Sequence, residues 1–141
     1  MRTTNFALAI SATAFLAGCG AFDSDSTWQS GPFEVIWIDQ PSDSHLSYRV
    51  DSSSLIQIVG ACIVAAGANE QLVLVEQRPQ TGEDRASYFI VSKAKYDHSK
   101  APAEAMVGPL SEAELKVEAS RTILPTLKEV MPSSMCRSDK R

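Results

Sequence analysis

Between Leu55 and Ala68 runs LIQIVGACIVAAGA, fourteen residues without a charge. A stretch this apolar has to be buried, and the choice of how to bury it fixes what the rest of the chain can become. A membrane-spanning helix needs about 20 apolar residues, and this run is shorter and carries Gln57 inside it. Its Ile and Val content predicts one or two buried strands, with Gly60 allowing a bend and Gly67–Asn69 a turn.

The flanking segments extend the sheet. In FEVIWID, Phe33, Val35 and Trp37 alternate with Ile36 and Ile38, so both faces are apolar. This strand is expected inside its sheet, with Trp37 in the core. LSYRV alternates Leu46, Tyr48 and Val50 with Ser47 and Arg49, the pattern of a half-exposed antiparallel strand. QLVLVEQR is a further strand and PQTGEDR an exposed loop. ASYFIVSKAKY is a strand buried on both sides around Phe89–Val91 that emerges into water at Lys93 and Lys95.

The sharpest local signal is PLSEAELKVEASRTILP. Ser111 followed by Glu114 is a capping box, with Leu110 and Leu115 at the staple positions around it. Leu115, Ala119 and Ile123 recur every four residues as one apolar stripe, Glu112 and Lys116 form an i,i+4 pair, and Pro125 stops the helix. A second short helical turn, TLKEVM, is expected to follow before Pro132. The fold class expected is α+β: an antiparallel sheet of about five or six strands with a C-terminal helix packed on one face.

The N-terminus has its own logic. Arg2 precedes an uncharged, mostly apolar segment from Phe6 to Ala17, the order of an export signal. It ends at Leu16-Ala17-Gly18-Cys19, which resembles the lipobox of bacterial lipoproteins. That resemblance implies cleavage before Cys19, acylation of Cys19 and anchoring in the membrane by several acyl chains. Gly20 follows where an inner-membrane retention signal has aspartate, so by analogy the protein goes to the outer membrane of a Gram-negative host, facing the periplasm. The expected organisation is a signal peptide at 1–18, an acylated flexible tether at 19–30, a single domain at 31–132 and a polar tail at 133–141.

Cleavage leaves 123 of the 141 residues, enough for one domain with a core. Loss of Arg2 leaves 12 basic against 17 acidic side chains and a net charge of −5. Nucleic acid is a poor partner for such a chain. The acids gather early, and Asp39, Asp43 and Asp51 are candidates for attracting a basic protein. Trp28, in the expected tether, is a candidate exposed anchor, and His98 a candidate surface contact.

In an oxidising compartment Cys62 and Cys136 can pair if the fold brings their Cα atoms within about 7 Å; the sequence leaves that open. No metal site is expected, since the cysteines, His45 and His98 lack the close spacing of zinc ligands. Two catalytic patterns fail on placement. SKAK, Ser92–Lys95, matches S-x-x-K but is expected on a strand, where its serine and lysine point to opposite faces. YDHSK, Tyr96–Lys100, crowds the groups of a triad into adjacent positions that diverge. No catalytic residue and no cofactor is assigned.

The lipobox together with GPFEVIWID, VAAGAN, YFIVSK and GPLSEAEL resembles a family of small bacterial lipoproteins of unknown function. In format the chain is also similar to periplasmic immunity lipoproteins of toxin secretion systems. What these resemblances imply is a membrane-anchored binding protein and not an enzyme: an immunity or inhibitor lipoprotein that neutralises a secreted toxin, possible partners including a cationic one such as a cell-wall hydrolase. The alternative is an envelope scaffold or assembly lipoprotein without a toxin partner.

Overall fold

The computed structural model describes residues 24–79 and 85–136. Two antiparallel meanders follow one another along the chain. The first is β1 (Ser24–Ser30), β2 (Phe33–Ile38), β3 (His45–Arg49) and β4 (Leu55–Val59), neighbours in that order. The second is β5 (Ile63–Ala68), β6 (Leu72–Gln77), β7 (Ser87–Ser92) and β8 (Met106–Leu110). After the helix α1 (Glu112–Arg121), the two-residue β9 (Lys128–Glu129) returns to the free edge of β5, giving the order β8-β7-β6-β5-β9.

The α+β class and the antiparallel pairing hold, but the strands divide into two sheets that cover each other. The apolar run at 55–68 is where they divide. It forms β4 of one sheet, turns at Gly60–Cys62 and enters β5 of the other, so it supplies a strand to each side of the core. Cys62 at the corner has φ 65°, a left-handed backbone uncommon outside glycine. Hydrogen bonds in both directions between Ser44 and Ile63, 3.0 Å from Ser44 Oγ and 3.2 Å from the Ile63 amide, tie the corner down.

Alternation decides what fills the core. Phe33, Val35, Leu46 and Val59 from the first sheet meet Ile63, Val73, Val75, Phe89 and Val91 from the second, all buried. Trp37 is half-buried and lies outside this cluster, because β2 passes beyond the sandwich at that point and Ile38 beside it is 45% exposed.

Three expectations need correcting. The ordered chain starts by Ser24 and not near Pro32: residues 24–30 of the expected tether are β1, paired along β2 with a bulge between Ser26 and Trp28. Trp28 is accordingly half-buried and packs against the core. The expected tail begins with a 3-10 turn, Ser133–Cys136, whose Cys136 is buried. The lipobox and Cys19 lie outside the described residues, as do residues 80–84 of the expected loop and residues 137–141.

The helix starts as its capping box requires. The Glu114 amide donates to Ser111 Oγ at 3.3 Å, and the Ser111 amide donates to the Glu114 carboxylate at 2.8 Å. Its orientation differs from the expected stripe. Leu115 and Glu118 are the half-buried positions, Ala119 is exposed and Ile123 is 87% exposed. The helix ends at Arg121, so Ile123 belongs to the extended segment that follows, and the helical turn expected at TLKEVM is instead extended chain carrying β9. No helical residue is fully buried, since the sheets already cover one another.

Candidate functional site

The strands run between two ends of the molecule. One end, where β1 starts, gathers Ile38, the Pro41–Asp43 turn, the Cys62 corner and the Ser133–Cys136 turn. The other gathers the β1–β2 turn at Gly31, the β3–β4 loop and the segment after β7. The Arg49 amide bonds to Pro32 there at 2.7 Å.

This division separates the acidic candidates. Asp39 and Asp43 lie at the first end, whereas Asp51, beyond Arg49, lies at the second. They do not form one acidic face, because successive strand connections alternate between the ends of a meander. Asp51 is also engaged in its own loop, accepting from the Ser53 amide at 2.8 Å and Ser53 Oγ at 3.0 Å. The Ser53 amide, with help from the Ser54 and Ser53 hydroxyls, holds its carboxyl below the ordinary 3.8.

His98 sits at the second end on an aromatic stack. Its ring lies 5.9 Å from Tyr48 at an interplanar angle of 15°. Tyr48 meets Tyr96 at 4.8 Å, and both meet Phe33 edge-on at 5.2 and 5.6 Å. The His98 ring is exposed, whereas the Tyr96 hydroxyl is buried without a hydrogen-bond partner. Burial, and then the nearby Tyr48 and Asp97, push the Tyr96 hydroxyl pKa above 10.0. Asp97 turns inward onto Ser99, whose hydroxyl donates to it at 2.7 Å.

Beside that end an open groove of about 470 Å³ runs between the edge of the first sheet and the chain after α1. Trp28 and Ser30 form one wall, Gly67 and Ala68 the floor, and Ile123 and Pro125 the other wall, with Lys128 at the margin. Asn69 holds the far wall in place. Its Nδ2 donates to the Ile123 carbonyl at 3.0 Å, while its Oδ1 accepts from the Gln71 and Leu72 amides at 3.0 and 2.8 Å. Gly67 is required by close approach, because a Cβ there would collide with the Thr126 carbonyl. The wall bearing Ile123 is therefore fixed in place although its side chain is in water.

A second cleft of about 260 Å³ lies between the outer face of the second sheet and α1. Leu72, Ile90 and Met106 give it an apolar floor, and Ser92, Lys95, Glu104 and Glu118 reach its margin. Ser92 and Lys95 thus share a cleft, contrary to their expected divergence, because β7 ends at Ser92 and the chain turns at residues 93–95. Among the described residues no hydrogen bond joins Ser92 to Lys95, and no group of three His, Cys, Asp or Glu side chains is gathered around a metal position.

Cys62 and Cys136 are joined in a disulfide, with Cα atoms 5.6 Å apart. Of the other sequence candidates, Trp28 lines the groove and His98 stands at the same end of the molecule, while Asp39 and Asp43 are far from both. The groove's second wall was missed because Ile123 fits the helical stripe equally well. Pro125, which disfavours helix at the residue before it, is the signal that could have pulled the boundary back. Protein-family models, curated proteins and solved structures yield no match to this chain.

Proposed function

We propose that this protein is an exported, lipid-anchored binding protein of the immunity or inhibitor kind, which neutralises a secreted toxin enzyme by occluding it in the periplasm. The observation that carries the reading is the groove, where Ile123, 87% exposed on the wall held by Asn69, stands opposite the wall that Trp28 forms. A rigidly presented apolar side chain beside an aromatic one is the make-up of an interface anchor. Fully burying such an isoleucine contributes about 1.5–3 kcal/mol. Export is supported by the lipobox resemblance at Leu16–Cys19 and fits the Cys62–Cys136 disulfide, which an oxidising compartment maintains. A cationic partner is attracted by the net charge of the mature chain, and not by Asp39, Asp43 and Asp51 acting as one patch.

The test is to identify a toxin enzyme from the neighbouring genes or by co-purification with the mature domain, and to express it in the periplasm with the parent lipoprotein or with Ile123→Asp. The parent is expected to restore growth and the variant to fail while accumulating normally. If the parent neither binds nor neutralises the toxin and its deletion alone perturbs the envelope, the scaffold reading replaces this one.

A further inference from the structure

We infer that the end of the domain bearing Ile38 and Met135 rests on the phospholipid headgroups, so that the Trp28–Ile123 groove and His98 point away from the bilayer. The inference depends on acylation of Cys19, as proposed above. β1 begins at Ser24, so five residue steps separate the anchor from a strand fixed in the first sheet. An extended chain covers at most about 3.4 Å per step, which gives the tether a reach of roughly 17 Å. From Ser24 to Ser30 the strand itself runs about 20 Å. A tether that short cannot invert the domain and bring the far end to the surface in which Cys19 is embedded.

What the near end displays suits a lipid surface. Ile38, paired with Ser24, is 45% exposed, and Met135 is 49% exposed. The two are held at one end because the Pro41–Asp43 turn packs against the Ser133–Cys136 turn and the disulfide fixes Cys136 to the corner. Asp39 and Asp43 at the same end oppose a purely electrostatic attraction to lipid phosphates. Apposition therefore depends on the short tether and the two apolar side chains more than on charge.

The experiment places a donor dye at Asp43→Cys or at Ser53→Cys in the full-length acylated protein. The protein is reconstituted in phosphatidylethanolamine–phosphatidylglycerol vesicles that carry an acceptor dye on the headgroups. A height difference of roughly 20 Å should make energy transfer at least about twofold greater from position 43. Replacing Ile38→Glu and Met135→Glu together should lower that transfer with acylation unchanged. Equal transfer, or greater transfer from position 53, in protein shown by mass to be acylated overturns the orientation alone. Protein without an acyl group on Cys19 overturns the anchoring and the orientation together.

Discussion

Glu34 faces outward from the first sheet, yet its side chain is 3% exposed, with Arg49 Nη2 2.7 Å from its carboxylate. The pair is diagonal: Glu34 lies directly opposite Ser47 on β3, and Arg49 is two residues further on the same face. Losing the cation leaves a desolvated charge, which costs about 3–5 kcal/mol when both partners are buried. Arg49 is 38% exposed, so Arg49→Met is expected to lower unfolding stability by only about 2 kcal/mol once solvent screening is allowed for. Denaturant titration of Arg49→Met alone and of Arg49→Met with Glu34→Gln checks it: the double variant should recover part of the loss. Trp28 is the second residue whose role depends on placement. Half-buried against the core as well as lining the groove, it contributes to stability, and Trp28→Ala should lower it by about 2 kcal/mol, less than a fully buried tryptophan. Any effect of that variant on partner binding has to be separated from this loss, whereas Ile123→Asp leaves the core untouched.

Among the elements, α1 shows how local signals survive when a tertiary expectation fails. The capping box forms because its groups lie within one turn, and the Glu112–Lys116 pair closes at 2.8 Å for the same reason. Ser111→Ala should therefore cost about 1 kcal/mol, measured by thermal melting. The box also carries a pH dependence. The Ser111 amide, then its hydroxyl, holds the Glu114 carboxyl below its ordinary 4.5. A folded pKa that is depressed means stability present above about 4.5 and lost as pH falls through the lower folded value. The difference in melting temperature between the parent and Glu114→Gln should thus be larger at pH 7 than at pH 3. Which face the helix turns to the sheet is not a local property. The stripe Leu115, Ala119, Ile123 predicts burial of a surface that the second sheet already buries against the first, so only Leu115 is partly covered. Strand positions were legible for the opposite reason: β3 marks its own face by alternating Leu46 and Tyr48 with Ser47 and Arg49, and β2, β6 and β7 show as short runs rich in Val, Ile and Phe. β1 escaped because SDSTWQS has one large apolar residue, and an edge strand needs little more when its neighbour supplies the hydrogen bonds. The groove was illegible for a related reason, since its walls come from residues almost a hundred positions apart in the chain.

At the scale of the whole molecule, the two sheets are joined, among the described residues, by one crossing and one disulfide. The crossing is the Gly60–Cys62 corner, and the link runs from that corner to Cys136, 74 residues later. Val64 and Met131 pack with both cysteines in a small cluster behind the second sheet, separate from the main core. β9 is the last strand among the described residues, and there only Lys128 and Glu129 pair with β5. So short a strand contributes few hydrogen bonds, and the closing of this edge depends on what holds the chain on either side of it. On one side Asn69 binds the Ile123 carbonyl; on the other the disulfide holds Cys136. Closing a loop of this length removes conformational freedom from the unfolded chain. In the chain-entropy account that is worth about 4.5 kcal/mol, against a typical measured range of about 2–4. Replacing Cys62→Ala and Cys136→Ala together should accordingly reduce unfolding stability by about 3 kcal/mol, seen as a lower urea midpoint. Amide exchange then distinguishes a local from a global origin. If the link acts by pinning the last strand, the amides of β9 and of Ala65–Ala66 should lose protection before those of β6 and β7. Uniform loss across both sheets would show that the disulfide acts through the unfolded state alone, and that the edge stays closed without it.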